Sequence, residues 1–322
     1  MSNRTTGRPP ARTAPTDRSS GSPAAGSRRP APVRFYVAPG EPTEHLFRHL
    51  LSAYLAGARE VEVVEHPRLS SATRGVVREF CRRTRQPEIV RDDGERIGIA
   101  ELDDGTTEPL DDRLQRLGRL VLAFHRQAVE SWDHLTFDDD GHWSRRDDEI
   151  DREAWYLERC IALGPPGEPG SSRPSTGAWT IARSLERIAD HAVTLGEVGP
   201  RLARLAPQAS RLRELRQFHE QAMHHLEEVL RHPDGSRSNE LLDVGEALLA
   251  GGRALSEQLL PAVGDGAMAP AAAAALARAL EAIGRTVAYG QDIAQAYFDR
   301  ALLTAPARRG AEAVPPVEGV VS

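Results

Sequence analysis

The chain has 322 residues, of which 40% are hydrophobic and 5% aromatic, with a formal net charge of −6. That length allows two or three modest domains, and scarce aromatics beside abundant Ala, Leu and Arg point to a largely helical protein. No window approaches the run of about 18 apolar residues that a membrane-spanning helix needs, so any membrane role is expected to be peripheral.

All 41 basic side chains other than histidine are Arg, a compositional mark of a high-GC genome. Residues 1–32 hold six Arg against Asp17 alone, leaving that segment at +5 and the rest at −11. An acidic body is a poor match for nucleic acid, whose affinity comes largely from phosphate neutralisation. Nucleic-acid contact is therefore expected only through residues 1–32, which read as a disordered basic tail. The tail lacks the apolar segment of a secretory signal, so a cytoplasmic location is expected. Cys81 and Cys160 form no C-x-x-C pair and read as small buried residues in a reducing compartment.

Residues 33–106 read as a small α/β domain. Val33–Ala38 and Glu60–Glu65 have strand composition, and Leu46, Leu50 and Ala53 mark a helix between them. Val76, Phe80 and Thr84 mark a second helix. Glu88–Arg91 and Arg96–Glu101 then flank Asp93-Gly94, a hairpin-turn pair.

From residue 107 the pattern is helical. Leu110, Leu114, Leu117, Val121, Phe124 and Ala128 recur in steps of three and four, as on the apolar seam of a bundle helix. Phe137-Asp138-Asp139-Asp140-Gly141 breaks it, and a second helix is expected over about 142–162. After a Gly/Pro-rich loop (164–170), Ser175 or Thr176 caps a third helix with a seam at Ala178, Ile181, Leu185, Ile188, Ala192 and Leu195, expected to stop near Gly199-Pro200. A fourth helix is expected over about 201–231, with Leu212, Leu215, Ala222, Leu226 and Val229 inward. A fifth follows over about 238–260. After Gly264-Asp265-Gly266 comes a sixth, over about 269–303, with Leu276, Leu280, Ile283 and Val287 on one face. Two consecutive three-helix units, 107–200 and 201–303, imply an internal duplication, and 304–322 reads as a disordered C-terminal tail.

Two acidic stretches stand out. Asp147 and Asp151 are four residues apart on the second helix, as are Glu186 and Asp190 on the third, so each pair shares a helix face. One reading is a solvated face of ion pairs with Arg183 and Arg187; the other is a cation site built from four carboxylates on neighbouring helices. No Glu-x-x-His, phosphate loop or nucleophile elbow accompanies them, so an enzyme is not expected. His219, His224, His225 and His232 on the fourth helix read as a polar helix face.

Arg183-x-x-Glu186-Arg187-Ile188-Ala189-Asp190-His191-Ala192 resembles the signature on the third helix of PhoU repeats. Arg146-Asp147-Asp148-Glu149-Ile150-Asp151 resembles the acidic signature on the second. The resemblance implies a mainly α fold of two tandem PhoU-like three-helix bundles, preceded by a small α/β segment similar to that of archaeal-type members and by the disordered tail. The swapped-hairpin DNA-binding domain that opens many of those members has no counterpart here.

The resemblance further implies a regulator of phosphate uptake and homeostasis, restraining a phosphate ABC transporter, a sensor kinase or both, as a homodimer that is peripheral to the membrane through its partner. The alternative is a DNA-associated transcriptional regulator of phosphate-responsive genes. The cofactor implied is a divalent metal or an iron cluster, carried by Asp147, Asp151, Glu186 and Asp190, with Asp148 as substitute for Asp147 if the register differs by one. Aligning Leu185 with Ile283 puts Gly284 opposite Glu186 and Ala288 opposite Asp190, so only one such cluster is expected per chain.

Overall fold

A computed structural model of the chain describes residues 31–38, 40–101, 108–133, 141–164, 176–203, 209–258 and 268–304. Of the expected tails, residues 1–30 and 305–322 lie outside the described residues, as do the break at 137–140, most of the Gly/Pro-rich loop, Ser175 and Gly264-Asp265-Gly266. The elements belong to one unit, Pro32–Ser322.

The α/β segment runs β1 (Val33–Val37), α1 (Thr43–Leu55), β2 (Glu60–Glu65), α2 (Ser71–Arg83), β3 (Pro87–Asp92) and β4 (Arg96–Glu101), with strand order β1-β2-β4-β3. β1 and β2 are parallel, as their connection through α1 requires, and the other pairs are antiparallel. Alternation decides the faces. Val61, Val63, Ile97 and Ile99 point towards Leu46, Leu50, Val77 and Phe80 of α1 and α2. On the other face Glu62 lies 2.6 Å from Arg34. Gly94 carries the hairpin turn at φ +94°.

Ser70 caps α2 by accepting from the Thr73 amide, 3.1 Å away. At the other end Thr84 turns extended, its hydroxyl donating to the Phe80 carbonyl at 2.7 Å. Arg82 and Arg83 thus fall in the last helical turn, where a cation suits the helix dipole.

The remaining chain is helical: α3 (Leu110–Glu130), a 3-10 turn (Ser131–Asp133), α4 (His142–Leu163), α5 (Thr176–Leu202), α6 (Ala209–Arg231), α7 (Ser238–Glu257) and α8 (Pro270–Thr304). The seam residues Ala178, Ile181, Leu185, Ile188, Ala192 and Leu195 are all fully buried. Each such Leu or Ile contributes roughly 1.5–3 kcal/mol of transfer free energy. The Trp132 indole donates to the Leu195 carbonyl at 2.9 Å, tying the end of α3 to α5.

α3, α4 and α5 pack on one another, as do α6, α7 and α8; α3 also meets α6, and α5 meets α8 along much of its length. α5 and α8 are antiparallel, with Gly177 against Arg300 near one end, the His191 and Tyr289 rings stacked at 5.9 Å, and Arg278 3.5 Å from Glu197 near the other. One continuous core joins all six helices.

Two expectations need correction. α5 does not stop at Gly199-Pro200. It runs to Leu202, because Val198 and Leu202 are fully buried, and that burial outweighs the one helical hydrogen bond Pro200 withholds. α6 accordingly begins at Ala209 rather than 201, and a boundary drawn after residue 200 cuts through a helix.

Candidate metal centre

Gly141, at φ +72°, starts α4, whose inward residues are Trp143, Ile150, Ala154, Leu157 and Ile161. Asp151 follows Ile150 by one position, as Glu186 follows Leu185 on α5. Each acid therefore sits beside its helix's seam rather than opposite it, at the groove where the two helices meet. The acids of the two helices face each other across that groove: Asp147 feels Asp190, and Asp151 feels Glu186.

Burial is the first cause of the shifts that follow. It pushes Asp147 up to about 6, with Asp190 and Asp148 adding repulsion. Asp151 is pushed up to about 8 by burial, then by Asp147 and Glu186, against the pull of Arg83. Glu186 rises to about 7 through burial and Asp190, opposed by Arg187 and Arg183. The structure thus brings together all four acids singled out in the sequence. Asp148, the alternative to Asp147, lies on the α2 side of the cluster, 2.6 Å from Arg83 and 3.5 Å from Arg82.

Oδ1 of Asp147 is buried with no hydrogen-bond partner among the described residues, whereas Oε2 of Glu186 has the Arg187 guanidinium 3.4 Å away. An unmet buried acceptor costs about 1–3 kcal/mol, more if charged, so the Asp147 oxygen calls for a donor or a cation. An all-oxygen, acidic set with an unmet buried oxygen has the donor chemistry that hard divalent ions take. Among the described residues, no three of the side chains already converge on a common point.

Arginines pair with them. Arg83 takes Asp148 and Asp151, the latter at 3.2 Å, while Arg187 takes Asp190 at 3.1 Å and Glu186 at 3.4 Å.

Glu158, Arg83 and Trp155 were not singled out in the sequence. Glu158 lies about two turns beyond Asp151 on α4, only 4% exposed, 3.6 Å from Arg183; burial raises its pKa. Its spacing of seven from Asp151 was the available signal. Arg83 had none, since it arrives from another layer. The histidines expected on a polar face also differ. His219 and His225 are buried, and the His225 ring nitrogen Nε2 lies 2.9 Å from the Leu241 carbonyl.

Residues 114–198, from within α3 to the last turns of α5, match the family described as PhoU domain. That stretch of the chain is similar to a PhoU domain. The match contains all four acids and ends before α6. No curated protein matches the chain. The match points to a part in the regulation of phosphate homeostasis. No helix among the described residues is long and apolar enough to cross a membrane.

Proposed function

We propose that the chain is a non-catalytic, cytoplasmic regulator that restrains phosphate uptake by acting on a phosphate ABC transporter, on phosphate-responsive signalling, or on both. The observation that carries this reading is the PhoU-domain match across α3–α5 with the acidic residues of both its motifs in one groove. The fully buried core joining six helices suits a rigid docking body, and a homodimer at the inner membrane surface is the form in which it would meet its partner. Deleting the gene should raise phosphate uptake in phosphate-replete cells or derepress phosphate-starvation genes. Unchanged uptake and expression at both high and low phosphate would refute the assignment.

In this reading α6–α8 is a degenerate second PhoU-like repeat. His191 and Tyr289 occupy equivalent positions when Leu185 is aligned with Ile283, and they stack on each other across the α5–α8 contact, as a two-fold relation between the halves would require. Gly284 and Ala288 replace the acids, so the cluster stands in the first half alone. The α/β segment is the counterpart of the extension of archaeal-type members.

Asp147, Asp151, Glu186 and Asp190 would hold a divalent metal or iron cluster. Its positive charge would offset the burial and the mutual repulsion that together raise three of their pKa values. Manganese(II) titration and elemental analysis of protein purified without a metal-affinity tag test this. Asp147→Asn with Glu186→Gln should abolish binding while helix content is kept, and unchanged stoichiometry would remove the site from consideration.

A further inference from the structure

We propose that Arg83 is a tethered counter-ion of the carboxylate cluster, competing with a divalent cation for Asp151, so that cation binding loosens the end of α2 from α4. The inference rests on reading the cluster as a cation site. It is carried by where the guanidinium sits. Arg83 closes α2, in the α/β layer, yet its Nη2 reaches Asp148 Oδ1 at 2.6 Å and Asp151 Oδ2 at 3.2 Å on α4. The same guanidinium lies 5.5 Å from the Phe47 ring of α1 and 5.2 Å from the Trp155 ring of α4. One aromatic comes from each layer, and together they fix the arm over the groove.

The pairing is incomplete on both sides. Arg83 Nε is buried without a hydrogen-bond partner among the described residues, and so is Asp147 Oδ1, whose carboxylate already feels the Arg83 charge. One guanidinium cannot satisfy Asp147, Asp148 and Asp151 together. A doubly charged ion among those acids would do so, while repelling Arg83 at short range.

Farther along α4 the layers are held by contacts that need not change. Arg85 meets Glu153 at 3.1 Å, and Arg159 grips Glu101 and the Tyr54 carbonyl. Cation binding would therefore free one end of the α/β layer while the other stays anchored, giving the cluster a mechanical output on a surface separate from the bundle.

The test is calorimetric titration of manganese(II) into the full chain, its Arg83→Gln variant and its Arg83→Lys variant, with amide hydrogen exchange of residues 76–84 followed in parallel. Arg83→Gln should bind roughly tenfold or more tightly, because the competing charge is gone, and Arg83→Lys should stay near wild type. Saturating manganese(II) should speed exchange at 76–84 in the wild type and leave Arg83→Gln unchanged.

Equal or weaker binding by Arg83→Gln overturns the inference while leaving the cation site intact; weaker binding would make Arg83 a support of the ligands. Arg83→Lys, which retains the charge, checks the point should Arg83→Gln fold poorly, and tenfold tighter binding there would overturn the inference as well. So would wild-type exchange that ignores the metal. Absence of binding in all three at millimolar manganese(II) would remove the cation site along with it.

Discussion

Arg159 is the strongest single tie between the α/β layer and the bundle, and replacing it by Met should cost about 3–5 kcal/mol of stability, the range for breaking a buried ion pair from one side. Its side chain is 1% exposed. It donates to both oxygens of Glu101 on β4, at 3.1 and 2.6 Å, and also to the Tyr54 carbonyl of α1, and it lies over the Tyr54 ring at 4.7 Å. Methionine keeps most of the stem, so little packing is lost. What remains is a carboxylate only 14% exposed and a main-chain acceptor, both without their donor. Partial hydration of Glu101 draws the expectation to the lower end of the range. Urea unfolding followed by circular dichroism measures the loss. Arg159→Met with Glu101→Gln should lose less than the two single variants summed, because no charge is then left unpaired. A loss below about 1 kcal/mol for Arg159→Met would refute the reasoning, since it would mean that water replaces the guanidinium freely.

Gly196→Ala should destabilise by about 1–3 kcal/mol despite alanine's better helix propensity, because the new Cβ would lie 2.4 Å from the buried Trp143 ring; an unchanged melting temperature would contradict that packing. The buried histidines should carry an acid-side penalty. Burial pushes His219 down to about 3 and His125 to about 4, so the native state keeps them neutral while the unfolded chain protonates below about 6.5. Their contribution is present above that pH and is lost as pH falls towards the native values. Relative to His219→Gln, the wild type should lose on the order of 3 kcal/mol between pH 7 and pH 4, and parallel stability curves would sink the assignment.

Spacing along single elements was legible in the sequence. The α5 seam from Ala178 to Leu195 is buried at every position named, and Asp93-Gly94 turns the β3–β4 hairpin. The two acid pairs share helix faces, as steps of four require. These features are local: the helical and strand periods decide which residues share a face, whatever later packs against it.

The partner of each face was decided only by tertiary structure. Arg83 reaches Asp151 across 68 residues of sequence, and no period links them. His219 and His225 look polar in one dimension, but α6 is enclosed by α3, α7 and α8, and burial lowers the pKa of both histidines. α5 passes Pro200 because Leu202 has a core to enter. The sequence by itself determined where the carboxylates lie on α4 and α5. Assembly determined that they face each other, lose water and meet an arginine, because desolvation and charge pairing depend on what surrounds a group in space rather than on what precedes it in the chain.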